Sequence, residues 1–344
     1  LMLLPIPHAF AMEYHHSEEA LNNTLFEKQF SPYVDREYPT RVLWGDQHLH
    51  TEISVDAGTM CRLGQEDAYR FARGEEVTST TGVRAKLSRP LDWMVISDHA
   101  EMYGLMPALL GGDPVIVNTE MGREWYDKLM SGDQQLIFDT AMEIVGALNK
   151  PDPPFEADKL VRAAWKEYTA LADRYNEPGR FTAFIGYEWT SNDGGNNLHR
   201  VVVYRDGGNK ASMMEPYTTL PPVGSPNPRD LWKWMQKYED KSGGHLLAIG
   251  HNGNLSNGIM FPILDPVTGR KFDSAYAETR MKWEPLYEVT QIKGDGEAHP
   301  LLSPNDEFAD YETWDMGNLD LSSPKEDDML QYEYARSALQ LGLR

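Results

Sequence analysis

The sequence predicts an α/β fold, because strand-length apolar runs alternate with stretches of helical spacing, and most of the runs end in an ionisable residue. Arg41-Val42-Leu43-Trp44 runs into Gly45-Asp46-Gln47-His48-Leu49-His50. The run 91–96 leads into Ser97-Asp98-His99, and the run 181–187 leads into Glu188. His199-Arg200-Val201-Val202-Val203-Tyr204 reads as a further strand. The run 245–250 leads into His251-Asn252, and Pro285-Leu286-Tyr287 into Glu288. Continuous or β-branched runs favour strands buried on both faces of a parallel sheet. Helical spacing fills 65–73, about 120–148 and about 155–175, and a further helix starts at Pro228. Ionisable groups repeated at strand ends are the pattern of a barrel's active-site rim.

No internal repeat or low-complexity linker interrupts the chain. The expected organisation is an N-terminal segment over 1–30 followed by one domain over 31–344. The start, through Ala9-Phe10-Ala11, resembles the tail of a secretory signal with small-x-small cleavage, although no charged region precedes it. A periplasmic or secreted location is the expectation, with a cytoplasmic one if 1–11 is an ordinary buried segment. No stretch reaches the eighteen or so apolar residues of a membrane span.

The 32 basic and 53 acidic residues give a formal charge of −21. Such a surface repels nucleic-acid backbones and anionic membranes, and no basic stripe offsets it. A small anion held by local cations is not excluded. The single cysteine, Cys61, rules out an intrachain disulfide and a thiolate metal site. Any metal must be held by His, Asp and Glu, a donor set that suits zinc, manganese or iron. Nothing in the sequence specifies an oligomeric state.

His48 and His50 lie two apart on a strand and so share a face, from which both can address one ion. Asp46 shares that face and is a candidate partner for an imidazole N–H. Asp56 returns on the following loop. Asp98 and His99 are adjacent at a strand end, where desolvation is expensive unless the groups are paired or metal-bound. Glu188 caps an apolar strand and is placed to bridge two cations. His199 and His251 complete the set. Taken singly, each reads equally well as a hydrogen-bonded core or rim residue; five of ten histidines at strand ends or starts do not.

Together, D-x-H-x-H near the first strand, S-D-H at a strand end, G-x-E and the later single histidines resemble the PHP (polymerase and histidinol phosphatase) superfamily. Trp44 to Thr51, Ser88 to Glu101, His251 to Gly258 and Gln291 to Glu297 are more closely similar to a large bacterial branch labelled only as a domain of unknown function. The resemblance covers nearly the whole chain from about residue 30. It implies a distorted (β/α)7-type barrel with helical insertions and two or three divalent ions. It also implies that His48 and His50 bind the first metal with a bridging Glu188, that Asp56 and His99 bind a second or third, and that His199 and His251 supply later-strand ligands. Asp98 fits an orienting carboxylate. The superfamily's late D-x-H is absent, so the barrel is expected to lack its last strand, or its last ligands come from elsewhere. Asp295, Glu297, His299 and Glu288 are the late ionisable residues, expected in packing or substrate contact rather than as ligands.

The expected chemistry is hydrolysis of a phosphoester by a metal-activated hydroxide, with ions about 3.5–4 Å apart offsetting the developing charge. The substrate is expected to be small and anionic. Arg200 and Lys293 are candidates to bind it, and His251 or Asp98 to protonate the leaving group. Two alternatives remain open at this stage: an amidohydrolase-like C–N or C–O ester hydrolase, and a PHP-fold binding module whose site has degraded.

Overall fold

Six strands form one sheet whose spatial order follows the chain: β1 (Gly45–Leu49), β2 (Trp93–Ile96), β3 (Thr182–Trp189), β4 (Arg200–Tyr204), β5 (Leu246–Gly250) and β6 (Leu286–Tyr287). The computed structural model describes residues 41–148, 158–265 and 268–343, and all of the sheet falls within the compact unit Leu43–Arg344. The expected segment 1–30, with its signal-like start, lies outside the described residues.

β1, β2 and β3 pair in parallel, as do β5 and β6, whereas β4 is antiparallel to both of its neighbours. Five strands therefore end at one edge of the sheet, and β4 begins there. This topology lets His199, which precedes its strand, join histidines that follow theirs. Loop directions are not written in local hydropathy, so the reversal was not expected from the sequence.

Alternate strand residues make the core. Met94, Ile96, Ile185, Tyr187, Val202 and Tyr204 pack against helices α2 (Gln65–Ala72), α6 (Asp158–Tyr175) and α7 (Pro228–Ser242), which contribute Tyr69, Trp165, Tyr168 and Met235. A second cluster joins α3 (Leu105–Leu110), α4 (Glu120–Leu129) and α5 (Gln134–Leu148) to Val55 of the one-turn helix α1 (Val55–Gly58). The helical spacing over 120–148 is thus two helices, broken where Gly132 takes a φ of 77°. α7 begins as the sequence predicts, with Asn227 Oδ1 accepting from Arg229 N at 3.0 Å and proline in the first turn.

Two expectations change. The strands are not buried on both faces: Trp93, Val95, Phe184, Val203 and Leu247 face an open apolar trough of about 700 Å³. Nor do the described residues close a (β/α)7 barrel. They form a mixed α/β half-barrel, curled so far that Gln47 and His48 of edge strand β1 hydrogen-bond Glu288 beside the opposite edge strand β6. The first strand also starts later than its apolar run. Trp44 is 61 % exposed, and pairing begins at Gly45, which lies directly under the Trp93 ring where no Cβ would fit. Among the described residues no helix is long and apolar enough to cross a membrane.

Candidate metal centre

Glu188 is the last residue but one of β3, the longest strand, and its backbone is held from both sides. Its N–H donates to Asp98 O at 3.0 Å, its carbonyl accepts from Ala100 N at 2.8 Å, and Val201 of β4 pairs with it across the other ladder. Nothing of Glu188 reaches solvent. An isolated carboxylate there would cost several kcal/mol to bury. The sheet instead surrounds it with five imidazoles.

One oxygen, Oε2, lies 3.2 Å from His48 Nε2, 2.8 Å from His50 Nε2 and 3.4 Å from His99 Nδ1. The other, Oε1, lies 2.7 Å from His199 Nδ1 and 3.0 Å from His251 Nε2. The rings follow one another around the carboxylate. Their centroids are 5.1 Å apart from His48 to His50, 4.5 Å to His99, 6.2 Å to His199, 5.7 Å to His251 and 4.1 Å back to His48. Asp56, on α1 at the rim, bridges His50 Nδ1 at 3.1 Å and His99 Nε2 at 3.4 Å. Two groups of donors are close enough to hold an ion: His48, Glu188 and His251, and His50, Asp56 and His99. Strands β1 to β5 thus all bring side chains to the same place, β1 two of them.

Neighbouring polar groups hold the imidazoles. His199 Nε2 donates to Asn192 Oδ1 at 2.7 Å, and His99 Nδ1 meets Thr190 Oγ1 at 2.5 Å. With its proton on Nε2, His199 turns the bare Nδ1 toward Glu188 Oε1. That nitrogen is buried and 2.7 Å from the oxygen, outside hydrogen-bonding geometry. Two lone-pair atoms brought face to face out of water repel each other unless a cation lies between them. The donor set therefore fits divalent cations, with Glu188 and Asp56 as the carboxylate donors among imidazoles that bind once neutral.

The electrostatics divide the imidazoles. Burial disfavours the His48 imidazolium, but hydrogen bonds and attraction from Glu188 and Glu288 prevail and raise its pKa to about 9. Burial is likewise overcome at His50, where Asp56 and Glu188 raise it to about 10. At His199 burial wins over Glu188 and lowers the pKa to about 4; at His251 burial and the charge on His48 drive it well down. An imidazole binds metal only when neutral. At pH 8, below both raised values, His48 and His50 carry protons in the metal-free chain. Zinc added in weak buffer at that pH is expected to release about two protons per chain, and apparent affinity is expected to rise from pH 7 to 9. Proton-silent titration would contradict this set of ligands.

Residues 37–344 match a family model described as Protein of unknown function (DUF3604). The chain belongs to that family. No curated protein and no solved structure matches it.

Within this DUF3604 chain the seven residues expected as ligands, His48, His50, Asp56, His99, Glu188, His199 and His251, come together. Three other expectations are revised. Asp46 does not meet an imidazole: a bulge between Asp46 and Leu49 breaks the strand's alternation, and Asp46 Oδ1 accepts from the His48 backbone N–H instead. Asp98 is wholly buried and accepts from Thr51 N, Thr51 Oγ1, Ser54 Oγ and Gln65 Nε2 at 2.6–2.9 Å. It anchors the loop that follows His50 and is not arranged as a proton donor. Arg200 turns away from the centre into a buried ion pair with Glu284 at 3.0 Å. Its neighbour His199 takes the site-facing direction, and successive residues point opposite ways.

Lys293 remains exposed, and its positive charge is among the influences that lower the His199 pKa. The late cluster stays apart: His299 pairs with Asp315, Glu297 with Arg336, and Asp295 Oδ2 accepts from Glu297 N and Ala298 N. Sequence reasoning gave little weight to Glu288 and did not single out Thr190 or Asn192. For Glu288 the signal was the charge that ends a short apolar run; Thr190 and Asn192 carried none.

Proposed function

We propose that the chain is a metal-dependent hydrolase of the PHP type, acting on a small anionic substrate, a phosphoester in the first place, at a centre for two or three divalent ions (zinc, manganese or iron). The observation that carries this reading is a solvent-free carboxylate whose two oxygens are shared among five imidazoles carried by four strands. Such a group costs too much to bury for packing alone, and two of its five imidazole contacts, those of His50 and His199, lack hydrogen-bonding geometry.

His48, Glu188 and His251 would hold one ion and His50, Asp56 and His99 another, with His199 beside His251 at Glu188 Oε1. Bound there, divalent ions supply an acidified water and positive charge against the charge that develops on a phosphoryl group. The protein's part is positional. Glu188 fixes the spacing of the two donor groups, Asn192 and Thr190 set the His199 and His99 rings, and exposed Lys293, whose charge reaches His199, is a cation available to a substrate's negative end. The late Asp and His that the resemblance would add are not needed to complete either donor group.

Metal analysis with parallel phosphatase, esterase and amidase panels tests the reading. One or more tightly bound ions per chain are expected, with thermal stability lost on chelation and phosphoester turnover that depends on the ions. An ion present at 100 times its dissociation constant stabilises by about 2.7 kcal/mol, enough to see as a shifted melting temperature. His50→Ala and His99→Ala are each expected to abolish turnover and reduce metal loading while leaving the fold intact. Less than one ion per chain with no chelation effect would leave a binding module. Turnover of carbon esters or amides alone would move the chain to the amidohydrolase-like class.

A further inference from the structure

We propose that Glu288 is a positioning residue of this centre: its carboxylate fixes the proton on His48 and, with Gln47, clasps the two free edges of the sheet beneath the first donor group. The inference rests on the metal-centre reading above. β1 and β6 are the outermost strands of the sheet, so no ladder hydrogen bond joins them. Glu288 makes the connection through its side chain. Its Oε1 and Oε2 lie 3.2 and 3.1 Å from His48 Nδ1, and Gln47 Nε2 donates to Oε2. Its backbone N–H donates to Gly250 O at 3.0 Å, one residue before His251. One residue therefore ties the carriers of His48 and His251, the two imidazoles that share the first donor group with Glu188.

The contact solves a problem of tautomer. A neutral imidazole has one proton for two nitrogens, and His48 can offer Nε2 to an ion beside Glu188 only if that proton sits on Nδ1. A carboxylate accepting at Nδ1 holds it there, and acceptance near both oxygens also sets the plane of the ring. The backbone is shaped to permit this. In a regular strand Gln47 and His48 would point to opposite faces. The bulge between Asp46 and Leu49 lets both address the same carboxylate. The side chains of His48 and Glu288 are 12 % and 13 % exposed, so water competes little for the bond.

Cobalt(II) added to the metal-stripped full chain reads this directly, through its affinity and its visible absorption bands. Glu288→Ala is expected to weaken cobalt binding about 10–100-fold and to shift the bands, since His48 is then free to turn. Glu288→Gln keeps an oxygen that can accept from Nδ1 and is expected to stay within about threefold of wild type. Wild-type affinity and bands in Glu288→Ala would overturn the proposal. So would a Glu288→Gln chain as weak as the alanine variant, because the carboxylate would then be a ligand in its own right. Far-ultraviolet circular dichroism checks folding. Should the alanine chain fail to fold, Glu288→Asp carries the same test: it keeps the charge but falls short of Nδ1, and wild-type cobalt affinity in it would overturn the proposal equally. A wild-type chain that binds no cobalt would instead remove the metal-centre reading.

Discussion

Glu188→Gln is expected to lose both ions and about 10³-fold or more of kcat/KM against any substrate that the wild-type chain hydrolyses, a loss of roughly 4 kcal/mol in transition-state stabilisation. The size follows from the position. Among the described residues Glu188 is the one carboxylate that faces all five imidazoles, and its two oxygens divide them three and two. Glutamine has nearly the same volume, so the core that includes Tyr187 and Trp189 keeps its packing. What changes is charge. A neutral amide offers one oxygen where two were shared, and turns N–H donors toward the site of a cation. The substitution also lowers the His48 and His50 pKa values, because attraction and hydrogen bonding from Glu188 help to raise both. Proton release on adding zinc at pH 8 should therefore diminish together with the metal. Inductively coupled plasma analysis and steady-state rates give the two readouts; a variant that keeps two ions and most of its rate would show that Glu188 is not the bridge.

The site was more legible than the fold that builds it, and the reason is energetic. His99, Glu188 and His251 each end an apolar run, and a charge or imidazole placed where a strand leaves the core is costly enough to require a purpose. Read one at a time these residues are ambiguous; read together they converge on the carboxyl edge of a sheet. The direction of β4 carries no such local mark. Val201-Val202-Val203 is strand-like either way round, and only the pairing with β3 and β5 makes it antiparallel and brings His199 to the others. Glu288 was undervalued because its partners, Gln47 and His48, lie some 240 residues away and across the sheet's open seam. Asp46 was misassigned because a bulge, invisible in hydropathy, shifts which side chains share a face. The closed barrel implied by the resemblance reached further than the local signals, which specify strands and helices but not the closure of a sheet.

Arg200 shows how a charge beside a site residue can belong to the core. As a substrate-binding residue it should lower affinity for an anion when removed and leave stability alone. The structure predicts the reverse for Arg200→Ala: a loss of about 3–5 kcal/mol in unfolding free energy, read from urea denaturation, with metal content and KM per folded molecule near wild type. The Arg200 and Glu284 side chains are 2 % and 4 % exposed, so solvent screens the pair little. Glu284 also accepts from Trp232 Nε1 at 2.9 Å and Arg280 Nε at 3.2 Å, and Arg200 and Arg280 together overcome burial to hold its pKa below the ordinary glutamate range. Removing Arg200 strands part of that buried charge and empties the space beside the Trp189 ring, 5.9 Å from the guanidinium carbon. A double variant, Arg200→Ala with Glu284→Gln, should recover part of the loss, because the remaining acceptor no longer carries a full charge. If the single variant instead unfolds at the wild-type urea midpoint and raises KM for an anionic substrate tenfold, then Arg200 must leave Glu284 during turnover. The rim of the centre would have to be redrawn with β4 as a moving part.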